Sequence, residues 1–172
     1  MIVFDSSTLI LLAKIDVLEL FISDYGGQVV IPEKVREEVL MKDGDETPGL
    51  YALIKDARIG VLRASDGKLP QKLMDDFNID SGEAEAIAAA LKKRATVATD
   101  DRNAIRACKF LKIDFITAIA ILIRAVEKGL IDKSEAIFKL EKLADVGRYK
   151  KTIIVDARRH IKGGIPDVSE NS

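Results

Sequence analysis

The side chains in this sequence whose types and spacing could do chemistry together are carboxylates. Asp5 follows an apolar run over 2–4, and Asp100 with Asp101 follows a short β-branched run over 95–99. Glu38 lies on the helix expected after another apolar run, while Glu83 and Glu85 open the helix that leads into 95–99. Open α/β sheets place ligands at the carboxyl ends of their parallel strands. If these strands are neighbours, all of these oxygens turn into one crevice. Crowded carboxylates repel one another, and their pKa values rise unless a cation neutralises them. Hard oxygen donors suit Mg2+ or Mn2+, and such ions can activate a water and clamp the attacking and leaving oxygens of a phosphodiester. Other chemistry is poorly supplied. Cys108 and His160 are the single cysteine and histidine, which excludes an intramolecular disulfide framework and a cysteine-cluster metal site and leaves serine or cysteine triads without an evident base.

Each carboxylate taken singly also has a purely structural reading. Asp5 or Ser6 can cap a helix, Asp80-x-x-Glu83 is the pattern of a capping box, and Asp100 or Asp101 can cap the helix that follows. Glu37 and Glu38 can form a solvated face with Lys34 and Arg36. Their joint placement at strand ends, in a chain short of other catalytic groups, favours a site.

The elements that must position them follow from periodicity and punctuation. Short apolar, β-branched runs predict strands over 2–4, 28–31, 59–64, 95–99 and 113–117. Between and after them, helical patterns run over 9–13 with 17–21, and over 33–41, 50–57, 71–77, 84–91, 104–111, 118–128, 133–143 and 152–161. The turn residues of 42–49 and Asp66-Gly67 mark connections, and Pro32 suits the first turn of a helix. Strand and helix alternate throughout, which predicts a parallel sheet sandwiched between helices. At 172 residues, 48% hydrophobic and 32% charged, the chain fits one globular domain with a real core. No apolar run approaches the roughly 20 residues that span a bilayer, and the start MIVFDSSTLILLAKID, broken by Asp5, has no basic leader or small-residue cleavage site. A cytoplasmic location without membrane attachment is the expectation.

The net charge of −1 hides an uneven distribution: residues 102–163 hold 15 Lys/Arg against 7 Asp/Glu, a balance of +8 that leaves −9 for the remainder. A basic half beside an acidic one suits a metal cluster flanked by a polyanion-binding surface, and equally suits basic helix faces that are merely solvated.

Four stretches together resemble the PIN domain, a nuclease fold of many prokaryotic toxins and of several RNA-processing factors. They are Ile2-Val-Phe-Asp5-Ser-Ser, Ile31-Pro-Glu-Lys-Val-Arg-Glu-Glu38-Val, Gly82-Glu-Ala-Glu85-Ala-Ile-Ala and Thr99-Asp-Asp101-Arg. The Gly-Glu-Ala-Glu-Ala-Ile run followed by an aspartate pair is similar to a branch close to the VapC-type toxins. The resemblance implies a three-layer α/β/α sandwich with a central parallel sheet and four acidic metal-binding and catalytic positions at Asp5, Glu38, Glu83 and Asp101. It also implies supporting hydroxyls at Ser6 and Thr99. The helix offers Glu85 beside Glu83, and Asp100 stands beside Asp101, so each pair holds an alternative. The implied activity is a Mg2+- or Mn2+-dependent endoribonuclease on single-stranded RNA, with a cognate antitoxin and a homodimer among the implied partners. The expected organisation is a nuclease domain over 1–130, a helical extension over 131–162 packed on it, and a flexible tail over 163–172. The rival readings are a non-catalytic RNA-binding or scaffold module, and an aspartyl-nucleophile phosphatase. The second is disfavoured because Ser7 stands where a second aspartate is needed.

Overall fold

The structure, a computed structural model, describes residues 1–65 and 67–163. Asp66 of the expected turn, and all of the expected tail but Gly163, lie outside the described residues. In chain order the elements are β1 (Ile2–Phe4), α1 (Ser6–Lys14), α2 (Leu18–Asp24), β2 (Val29–Pro32), α3 (Glu33–Met41), α4 (Thr47–Lys55), β3 (Gly60–Leu62), α5 (Leu69–Phe77), α6 (Ser81–Lys93), β4 (Thr96–Ala98), α7 (Arg102–Leu111), β5 (Phe115–Ile116), α8 (Ala118–Glu127), α9 (Lys133–Val146) and α10 (Lys151–Ile161). The chain divides into two compact units, Met1–Ala118 and Ile119–Ser172.

The first unit holds one five-stranded sheet in the order β3-β2-β1-β4-β5, every pairing parallel. Successive side chains of a strand point to opposite faces, and β1 shows what each face packs against. Val3 belongs to a buried cluster with Leu73 of α5, Ala84 and Ile87 of α6, and Ala104, Ala107 and Cys108 of α7. Phe4, one residue on, meets Phe21 of α2 edge to face at 5.9 Å. Helices therefore cover both faces, the α/β/α arrangement expected of the strand–helix alternation. All three residues of β1 are buried, which is why this strand reads as continuous apolar sequence rather than as alternation.

The order of strands decides where a ligand can sit. From β1 the chain moves outward through β2 to β3, then crosses back to β4 on the other side of β1 and on to β5. The connections leaving β1 and β4 thus run in opposite directions, and the crevice at the carboxyl ends of these two strands is the topological switch point.

In the second unit, α9 and α10 pack on each other and bury Ala136, Leu140 and Leu143 on one side and Ala157 and Ile161 on the other. Ile153 and Val155 of α10 are 45% and 46% exposed, while Ala157 and Ile161 occupy the inward face. Pro32 ends β2 and occupies the N-cap position of α3 rather than its first turn. As the N-cap residue it donates no intrahelical hydrogen bond, so its missing N–H leaves the ladder of α3 intact. No helix among the described residues is long and apolar enough to cross a membrane.

Candidate active site

Asp5 and Asp101 reach the switch point because β1 and β4 pair in register, Phe4 opposite Ala98. The Asp5 N–H donates to the Ala98 carbonyl at 3.1 Å, so the ladder carries on to the residue whose side chain matters. Asp5 is 1% exposed. Its Oδ1 caps α1, accepting from the Thr8 N–H at 2.8 Å and the Ser7 hydroxyl at 3.3 Å, while the buried Oδ2 has no hydrogen-bond partner among the described residues. Burial pushes this carboxyl up to about 6, with the charge of Asp100 adding to the rise and the nearby hydroxyls of Thr99 and Thr8 opposing it. Ser6, the first residue of α1, is buried beside it.

After β4, three consecutive residues do different work. Thr99 is fully buried, and its hydroxyl accepts from the Asp101 N–H at 3.2 Å. Asp100 turns its Oδ2 to the Thr8 hydroxyl at 2.9 Å and to the Ala118 N–H at 3.0 Å, tying the start of α1 to the end of the β5 segment. Asp101 caps α7 through Oδ1, which accepts from the Asn103 and Ala104 N–H groups, both at 2.8 Å. Capping uses one oxygen of Asp101 and fixes the rotamer that presents the other.

The two glutamates of α6 part company. Glu83 forms the capping box with Asp80: its backbone N–H donates to Asp80 Oδ1 at 2.8 Å, and its own Oε2 accepts from the Asp80 N–H at 3.0 Å. Its carboxyl is pushed up to about 8, first by desolvation and then by the negative charges of Asp80, Asp101 and Asp5. Glu83 therefore shares a field with the two aspartates at the strand ends. Glu85 faces elsewhere and accepts from the Ser65 N–H at 3.0 Å.

Glu38 comes from α3, whose Val35 and Val39 are buried. Its carboxylate lies against the first turn of α6, where a Cβ added to Gly82 would fall 2.6 Å from Oε2 and 2.9 Å from Oε1. The absent side chain of Gly82 is what lets Glu38 reach the turn that carries Glu83. Glycine offers no chemistry of its own, so this role is invisible until α3 and α6 are seen together. The link from Thr8 to Asp100 is likewise a contact between distant segments.

No three Asp, Glu, His or Cys side chains among the described residues converge closely enough to hold one ion as they stand. The donor set nevertheless fits a hard divalent cation. Asp5 offers a buried oxygen without a donor, and Asp5 and Glu83 are both held above their ordinary carboxylate range, an unfavourable state that a cation reverses. Cys108 supplies nothing comparable: it is buried, and burial pushes its thiol up to about 11. His160 sits on α10 beside Glu127, with Nε2 3.2 Å from Oε1.

No curated protein matches the chain. A family model described as PIN domain matches residues 1–161.

Proposed function

The chain belongs to the PIN-domain family, a nuclease-type fold, and from that premise we propose that it is a Mg2+- or Mn2+-dependent endoribonuclease acting on single-stranded RNA. The observation that carries the reading is the buried, unpartnered oxygen of Asp5 facing a shared electrostatic field with Glu83 and Asp101 at the switch point. Asp5, Glu83 and Asp101 would hold the ion, with Glu38 completing the set from α3. A bound divalent ion supplies charge neutralisation at the phosphodiester and a lower pKa for the attacking water.

The protein's own part is positioning. Asp5 is held by the first turn of α1 and Asp101 by that of α7, so neither carboxylate has to be ordered when substrate arrives. The N-termini of α1, α6 and α7 are all capped at this crevice, and their dipoles favour a phosphate there. Asp100 serves as a brace, with its Oδ2 taken by Thr8 and Ala118.

The test is cleavage of an unstructured oligoribonucleotide with Mn2+ present. Asp5→Asn keeps the shape of the side chain and removes its charge, and is expected to abolish cleavage while leaving the fold intact. Full activity in that variant, with metal in excess, would sink the reading. The same proposal extends to the toxin of a toxin–antitoxin pair and to a homodimer. Its support is the likeness of the Gly82–Ala88 run to VapC-type toxins, and co-expression with the product of a neighbouring gene, followed by measurement of complex mass and residual cleavage, tests it.

A further inference from the structure

α7 starts at the candidate site and carries a run of charge with no counterweight. Its N-cap is Asp101, and residues 102–113 contain Arg102, Arg106, Lys109 and Lys112 with no Asp or Glu. At 100° per residue, Arg102, Arg106, Lys109 and Phe110 fall within about 100° of arc, opposite the buried Ala104, Ala107 and Cys108. None of Arg102, Arg106 and Lys109 has an acidic partner among the described residues. Arg158 and Arg159 of α10 differ in this respect, pairing with Glu141 at 3.0 Å and Asp156 at 3.9 Å. Arg106 Nη2 donates to the Phe77 carbonyl at 3.3 Å, a neutral acceptor.

The stripe ends on an aromatic ring. Phe110 is 75% exposed, and its edge is supported by Phe77, with ring centroids 5.7 Å apart and planes at 60°. A single exposed hydrophobic residue needs no explanation by itself. This ring, however, closes a line of cations without acidic partners among the described residues, Lys109 Nζ lying 5.9 Å from the Phe115 ring centroid, that begins at the candidate-site carboxylate Asp101 roughly 13 Å away by helical rise, and Phe77 braces the ring. A cation row with an exposed ring at its end matches what a single strand offers, phosphates along one side and bases free to stack. The acids near Phe77 set the boundary: Asp75 accepts from Gln71 and Asp76 pairs with Lys72, so the positive path follows α7 and stops short of α5.

We propose that this face of α7 is the track for the RNA strand entering or leaving the site, with Arg102, Arg106 and Lys109 on phosphates and Phe110 as a base-stacking platform; this rests on the ribonuclease reading. The experiment is binding of a fluorescently labelled, unstructured 12-nucleotide RNA to the full-length protein in chelator, where no cleavage occurs. Phe110→Leu keeps an apolar side chain without a ring face and is expected to weaken binding roughly 5- to 150-fold. Arg106→Gln and Lys109→Gln should each reduce the steepness of the log–log salt dependence by about 0.7. The sequence has no tryptophan, so Phe110→Trp places a unique indole on the platform, excited apart from the tyrosines. That variant should bind like the wild type, with emission quenched as RNA saturates it. Unchanged binding in Phe110→Leu, or an introduced indole that ignores RNA and responds to a protein partner instead, overturns the proposal. Those outcomes leave the nuclease reading standing as long as the wild type cleaves RNA in an Asp5-dependent way. A wild type that neither cleaves RNA with Mn2+ nor binds it removes both.

Discussion

Asp5 combines two demands that pull against each other. As an N-cap it needs a charged or polar oxygen at the start of α1, yet the site that provides this is 1% exposed and adjoins Asp100. Its pKa in the folded protein, about 6 against an ordinary 3.8, makes the fold bind a proton more tightly than the unfolded chain does. Such a group favours folding below pH 3.8, and that contribution is lost as pH rises through about 6. Over that window the cost reaches about 3 kcal/mol. Glu83, raised from 4.5 to about 8, pulls in the same direction to higher pH. In chelator, the stability of Asp5→Asn relative to wild type should therefore grow between pH 4 and pH 7, measured by urea midpoints, and Mn2+ should reverse the difference by stabilising only the wild type. A pH-independent difference would mean that Asp5 is ionised without strain.

Gly82 makes a second prediction at this scale. Alanine there is favoured in a helix by up to about 1 kcal/mol, but its Cβ would displace the Glu38 carboxylate. Stability should hold or rise while Mn2+ affinity and cleavage fall roughly 10- to 100-fold, and the double variant with Glu38→Gln should be no weaker than Glu38→Gln alone. Multiplying losses would show that Gly82 acts on something other than Glu38. Asp5, Asp100 and Asp101 were legible in the sequence because an acid directly after an apolar run occupies a strand end wherever that strand lies in the sheet. The gap at Gly82 was not, because it exists only where α3 and α6 meet.

At the scale of elements, caps made the helices readable and tertiary pairing set the strands. The Asp80-x-x-Glu83 pattern is a formed capping box, and α3 occupies the expected 33–41. α4 instead starts at Thr47, ahead of the expected residue 50, since Pro48 is compatible with a first turn. The strand expected over 113–117 shortens to Phe115–Ile116, because β5 is an edge strand and pairs only where β4 reaches it, at Val97 and Ala98. Asp100 joins three elements, accepting from Thr8 in α1 and from Ala118 where α8 begins. Asp100→Ala leaves both donors unpaired and should cost about 1–3 kcal/mol, read as a lower urea midpoint. Its Mn2+ affinity should stay close to wild type, since a brace and a ligand fail differently. A loss of metal binding without loss of stability would move Asp100 into the ligand set.

For the whole molecule, alternating strands and helices were enough to foresee a parallel sheet, whereas the strand order that sets Asp5 beside Thr99 depends on which pairings the completed core allows. The charge asymmetry was equally visible as a sum and equally silent about which cations are free. In the structure Arg158 is bound to Glu141 and Arg159 to Asp156, both within the second unit, while Arg102, Arg106 and Lys109 of α7 in the first unit have no acidic partner among the described residues. Ion pairs at this exposure contribute at most about 1 kcal/mol each, yet a paired guanidinium offers less net charge to a polyanion. Reversing Arg158 and Arg159 to glutamate should change RNA affinity by less than about threefold, removing about two counterions' worth of salt dependence only if these residues touch phosphate. The expected slope is that of the wild type, in contrast to the drop for Arg106→Gln. A slope that falls by about 1.4 in the double reversal, with α7 variants unaffected, would transfer the RNA track from the first unit to α10.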